Sequence, residues 1–159
     1  MITLEQQVGN RLRERGWTIS SAESSTGGLI MARLTDIAGS SAYVLGGVIA
    51  YADAIKEQIL GVPQQMLIDY GAVSEPVAQQ MAEGARQLFQ TDVAVSVTGI
   101  AGPTGATATK PVGLHYIGLS TPTGSWVRRY VWNGDRTENR HAAADAALQL
   151  LLDYLDDAL

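Results

Sequence analysis

The sequence predicts an α/β fold: three layers, α/β/α, around a mixed sheet. Three observations carry this reading. Helical and strand-like segments are interleaved along the chain, and the last two strands are joined by a tight turn. The length of 159 residues fits one domain spanning 1–159. A 46% hydrophobic content supplies a substantial core.

Leu4 to Arg15 reads as the first helix. Val8 and Leu12 are spaced i,i+4, and Gly16 lies just past the end as a C-cap. Trp17 to Ala22 reads as a short strand and Thr26 to Ile37 as a helix ending near Gly39. Tyr43 to Tyr51 reads as a buried strand, its Gly46-Gly47 pair marking a bulge or a close backbone approach. Asp53 to Leu60 is a short helix capped by Asp53 and ended by Gly61. Pro63 opens another, to about Tyr70. A longer helix runs to Phe89, with Ser74 as N-cap and Pro76 in its first turn. Asp92 to Thr98 is a strand. Val112 to Ser120 and Ser125 to Trp132 form a hairpin through Thr121-Pro122-Thr123-Gly124. Asp135 to Leu155 closes the chain as a helix, and Arg128 and Arg129 read as edge or surface charges.

Composition excludes several chemistries. With no cysteine there is no disulfide framework, thiolate metal site or cysteine nucleophile. A net charge of −5 and the lack of a basic run argue against direct nucleic-acid binding. No window is long and apolar enough to span a bilayer, and Met1 to Gln7 has no secretory apolar core. The expectation is a cytoplasmic protein with no membrane partner.

Ala22-Glu23-Ser24-Ser25-Thr26-Gly27-Gly28 lies between a strand and a helix. Such a turn presents unpaired N–H groups and the positive end of a helix dipole. Ser24 reads as a cap or as a nucleophile, and Ser25 and Thr26 are equally good caps. A nucleophilic serine needs a base. His115 sits in a strand and His141 among alanines on the last helix, which suits structural or surface roles. Lys56 has Ile59 and Leu60 at i+3 and i+4. Either its ammonium is held near the core, where desolvation lowers its pKa, or its stem snorkels to water. Thr98 to Pro103 follows an apolar strand and reads as a crevice wall or an ordinary tight turn. Arg136 and Arg140 share a helix face that either grips a phosphate or faces solvent. Asp135 reads as the cap of that helix.

Several motifs occur together and in order. They are Ala22 to Gly28, Asp36-Ile37-Ala38-Gly39-Ser40-Ser41, Tyr51 with Lys56, and Gly71-Ala72-Val73-Ser74-Glu75. Gly99-Ile100-Ala101-Gly102-Pro103, Lys110-Pro111-Val112-Gly113 and Gly134-Asp135-Arg136 complete the set. In these the chain resembles the CinA C-terminal domain family, also called the PncC amidohydrolases, in its stand-alone form. The resemblance implies an amidase that converts nicotinamide mononucleotide to nicotinate mononucleotide and ammonia, in pyridine-nucleotide recycling. It implies no metal or organic cofactor, a small-molecule nucleotide substrate and a homo-oligomer, dimer or higher.

The family's serine carries over onto Ser24, its lysine onto Lys56 and its tyrosine onto Tyr51, which makes these the expected catalytic residues. The expected substrate contacts are Ser25, Thr26, Gly27 and Gly28 on the first turn, Thr98, Gly99, Ala101 and Gly102 on the second, and Arg136 with Arg140. N–H groups near Thr26-Gly27-Gly28 would stabilise the oxyanion. Three departures stand out. Ser25 replaces a usual cysteine, and Asp53 replaces an asparagine and puts a carboxylate near the lysine. The Gly105 to Thr109 loop lacks the usual glycine pair and acids. A non-catalytic nucleotide sensor is the alternative reading.

Overall fold

A computed structural model describes residues 1–159. Its elements are α1 (Leu4–Arg15), β1 (Ile19–Glu23), α2 (Leu29–Thr35), β2 (Val44–Ile49), α3 (Asp53–Leu60), α4 (Gln64–Tyr70), α5 (Glu75–Phe89), β3 (Val93–Gly99), β4 (Leu114–Thr121), β5 (Gly124–Val131) and α6 (Arg136–Leu155). A single turn of 3-10 helix, Ser40–Ala42, precedes β2.

The five strands form one sheet in the order β2-β1-β3-β4-β5. β1 runs parallel to β2 and β3, and β4 and β5 follow antiparallel. The sheet is therefore mixed, as expected. Alternation along the strands sends side chains to two faces. Ile19, Val93, Val95, Val97, Ile117 and Leu119 pack into the larger core with α1, α2 and α6. Ala22 and Ala94 join Leu60, Val62, Val77, Met81 and Ala85 in a smaller core beneath α3 and α5. Two helical layers enclose the sheet.

Caps set the long helices. Thr3 and Gln6 form a capping box at α1, and Gly16 ends it at φ 66°. Asp135 and Glu138 do the same for α6. Other helix starts differ from expectation. Asp53 is the first residue of α3 rather than its cap, and Ala52 precedes it without a side-chain bond. Ser74 occupies the N-cap position of α5, but its hydroxyl donates to the Gly71 carbonyl at 2.8 Å.

The largest difference lies in β2. It is an edge strand, with Leu45 and Ile49 more than half exposed, not a buried one. Its apolar run resembles a buried strand because each face is covered in part. The glycines do bring backbones together. A Cβ at Gly46 would lie 2.8 Å from the Phe89 ring, and one at Gly47 would lie 2.6 Å from the Ser21 hydroxyl. The register skips Leu45 between the Ile19–Val44 and Ser20–Gly46 pairs, which is the expected bulge.

β1 begins two residues later than predicted and continues through Glu23, while α2 starts only at Leu29. Residues 24–28 form a turn instead of a first helical turn. Gly27 and Gly28 both have positive φ, 60° and 105°, and that conformation delays the helix. The turn sits at the C-terminal ends of the parallel strands, where open α/β sheets leave a crevice.

Candidate active site

Glu23 anchors this turn. Its carboxylate is buried and accepts hydrogen bonds from the hydroxyls of Ser21 and Thr26 and from the N–H groups of Gly28, Ile30 and Met31. A negative side chain therefore already occupies the positive end of α2. This corrects two expectations. No serine or threonine side chain caps α2. The N–H group of Gly28 is committed to Glu23, so it cannot serve an oxyanion.

Ser24 follows on the face of the sheet that carries α3 and α5. Its N–H donates to the Val97 carbonyl at 3.0 Å, tying it to β3. Its Oγ lies 3.2 Å from Lys56 Nζ. Lys56 is only 2% exposed, so its stem does not snorkel to water. Nζ also donates to the Tyr51 carbonyl at 3.0 Å. Desolvation lowers the lysine pKa below its ordinary value. Asp53, with Oδ1 3.7 Å away, pushes in the opposite direction without cancelling that effect. A lysine shifted this way gives up its proton more readily, and the neutral amine can accept the Ser24 hydroxyl proton.

Tyr51 acts on Lys56 through its backbone. Its ring is 62% exposed at the rim, and its hydroxyl accepts from Arg136 at 3.3 Å. Ser24, Ser25, Tyr51, Lys56, Thr98, Gly99, Ala101 and Arg136 all line one cavity of about 190 Å³, together with Asp53, Ala72 and Val73. An adjoining cavity of about 460 Å³ shares Ala101 and Arg136 and adds Gly102 and the first residues of α6. Arg136 stands between the two, its second guanidinium nitrogen bonded to the Gly102 carbonyl at 2.9 Å.

Other predicted contacts fall elsewhere. Thr26, Gly27 and Gly28 do not line the cavity. Arg140 turns back onto the turn, donating to the carbonyls of Ser25 and Thr26 at 2.9 and 3.1 Å, and does not reach the cavity. Its guanidinium is thereby occupied by the backbone, unlike that of Arg136. The Thr98 hydroxyl donates to the Ala72 carbonyl at 2.8 Å and braces the α4–α5 connection.

Sequence reasoning set His115 aside, yet it is fully buried and touches the turn. Its Nε2 lies 3.0 Å from Ser25 Oγ, and its Nδ1 lies 3.0 Å from the Gly113 carbonyl. Burial lowers its pKa below the ordinary histidine value. Glu23 was also not singled out. Its signal was available: a charged residue inside an otherwise uncharged strand end requires partners. No cluster of three or more His, Asp or Glu side chains is placed to hold a metal ion. No helix is long and apolar enough to cross a membrane.

The profile of the CinA C-terminal domain matches residues 1–155. A CinA-like protein of Sulfurihydrogenibium sp. (strain YO3AOP1) is 47% identical over 97% of this chain and 38% of its own length. A CinA-like protein of Salinibacter ruber is 51% identical over 93% of this chain and 36% of its own. The chain thus spans somewhat over a third of the length of these curated relatives. The crystal structure of the competence/damage inducible protein CihA from Agrobacterium tumefaciens superposes with a TM-score of 0.93 at 41% identity, covering 96% of this chain and 93% of that one. A CinA superfamily protein from Klebsiella pneumoniae 700603 superposes equally well at 30% identity, covering 97% and 96%. The chain belongs to the CinA C-terminal domain family.

Proposed function

We propose that this CinA-family chain is an amidohydrolase that deamidates nicotinamide mononucleotide to nicotinate mononucleotide and ammonia. The observation that carries the reading is the buried Lys56 Nζ at 3.2 Å from Ser24 Oγ. Neutral Lys56 takes the Ser24 proton as Ser24 Oγ bonds to the carboxamide carbon. The pyridinium ring withdraws electrons and makes that carbon more electrophilic. Lys56, now charged, returns a proton to nitrogen as the C–N bond breaks and ammonia leaves. Water then hydrolyses the ester on Ser24 and regenerates the hydroxyl.

The adjoining cavities suit a mononucleotide better than a free amide. The ring would lie in the smaller one, against the exposed Tyr51 ring. The ribose phosphate would extend past Gly99 and Ala101 toward Arg136 and the N-terminus of α6. The exposed Leu45 and Ile49 on the β2 edge are the surface through which the chain would form a homo-oligomer. A cytoplasmic setting agrees with the substrate and with the lack of cysteine.

One observation favours the alternative of a nucleotide-binding sensor. Asp53 stabilises the charged form of Lys56, which is the wrong form for a base. Ammonia release measured beside a binding titration separates the two. Turnover that falls by orders of magnitude in Ser24→Ala and Lys56→Ala supports the amidase. Micromolar binding with no turnover in the wild type supports the sensor.

A further inference from the structure

We infer that His115 and Arg140 are positioning residues that hold Ser25 so that its N–H meets the oxygen gaining charge when Ser24 attacks. The inference rests on the reading of Ser24 as nucleophile.

The direction of the buried hydrogen-bond chain is fixed by chemistry. The Gly113 carbonyl can only accept, so His115 Nδ1 carries the proton and Nε2 is bare. Nε2 can only accept, so the Ser25 hydroxyl donates to it. Burial keeps the imidazole neutral and this polarity in place. The ring lies across Gly99, where any Cβ would overlap it, and it packs against Trp132 at 5.2 Å between centroids. Alternation past the end of β1 thus splits the two serines. Ser24 faces Lys56, and Ser25 faces His115 on the side of α6.

The two peptide planes after Ser24 are held separately. The Ser24 carbonyl accepts from Gly27 N–H at 3.1 Å. The Ser25 carbonyl accepts from Arg140 Nε at 2.9 Å, and the Thr26 carbonyl from the same guanidinium. The Arg140 bond thus fixes Ser25 on its carbonyl side. The His115 bond fixes the Ser25 side chain between the two planes.

What remains is a backbone donor that lines the cavity and has no acceptor in the protein, at Ser25. Ser25 is buried, and a buried N–H without a partner is uncommon. The residue after a nucleophilic serine is where acyl-transfer turns take an oxyanion donor. The helix N-terminus cannot do this here, because Glu23 fills it.

The test uses two acyl compounds, nicotinamide mononucleotide and p-nitrophenyl acetate, which share only the oxyanion. Arg140→Ala, His115→Leu and Ser25→Ala are compared with wild type, each verified folded by its thermal midpoint. Ser25→Ala breaks the same hydrogen bond as His115→Leu with a much smaller change. The expected result is a fall in kcat of about 10- to 100-fold on both compounds, with KM within about twofold. Arg140→Lys and His115→Gln, which keep a donor and an acceptor, should recover part of it. Unchanged kcat, or a loss confined to KM, overturns the inference. Wild-type turnover of the ester but not the nucleotide sinks the substrate reading alone, with the variants still testing the oxyanion donor on the ester. Turnover of neither sinks both.

Discussion

Replacing Glu23 by glutamine tests whether the turn is built around that carboxylate. Oε1 accepts from the Thr26 hydroxyl and from the N–H groups of Gly28 and Ile30; Oε2 accepts from the Ser21 hydroxyl and from Met31 N–H. Glutamine must put an NH2 group at one of these positions. At Oε1 it would oppose two backbone donors, so it goes to Oε2, where it opposes one. The Ser21 hydroxyl can rotate to accept, but Met31 N–H cannot. One part-buried donor loses its partner, at about 1–3 kcal/mol. The charge at the α2 N-terminus is lost as well, about another 1 kcal/mol for a buried site. The total is about 2–4 kcal/mol. For a chain of 159 residues this lowers the melting temperature by roughly 5–15 °C. Calorimetry or circular dichroism against temperature reads it directly. A midpoint within a degree or two of wild type would refute the idea that Glu23 holds the turn.

Three other outcomes follow from the same geometry. Asp53→Asn removes the group that raises the Lys56 pKa, so the base stays neutral to lower pH and the acid limb of the kcat/KM profile moves to lower pH; an upward or absent shift contradicts this. Lys56→Met abolishes ammonia release but stabilises the fold at neutral pH. The folded lysine pKa is depressed, so the unfolded chain binds more protons between that value and the ordinary 10.5, and wild-type stability rises with pH there. The gap between variant and wild type in urea unfolding should therefore narrow as pH approaches 10.5. Arg136→Ala raises KM for the mononucleotide by about 10-fold or more while leaving the phosphate-free nucleoside nearly unaffected; an equal effect on both argues against a phosphate contact.

Much of the architecture was legible because local signals agreed with the tertiary outcome. The Val8–Leu12 spacing and Gly16 C-cap of α1, the Asp135 cap of α6 and the Thr121 to Gly124 turn each specify an element without help from distant residues. β2 misled because its apolar run does not say which side is uncovered. That depends on its position at the sheet edge, which is set by the order of strands. The start of α2 misled because Gly27 and Gly28 adopt positive φ, a choice permitted to glycine but not dictated by it.

At the site, the approach of Ser24 and Lys56 was expected from resemblance, and the neighbours of Lys56 hinted at burial. Local reading left snorkelling open, because the packing of α3 on α5 that accompanies Lys56 burial lies outside the local sequence. His115 was unreadable for a related reason. Its contact with Ser25 follows from the strand register that places it beside Gly99, and from the turn after β1 reaching across the sheet end. Arg140 illustrates the converse. Its spacing from Arg136 suits a shared anion, but the carbonyls of Ser25 and Thr26 lie nearer and take it.

The most direct test of the central claim is the covalent intermediate. Wild-type protein turning over nicotinamide mononucleotide is quenched in acid within the first turnovers, digested, and its peptides weighed. An acyl group on Ser24 with the substrate's mass less ammonia, absent from Ser24→Ala, is the predicted result. Undiminished ammonia release with no adduct on Ser24, or an adduct on Ser25 instead, would contradict the account.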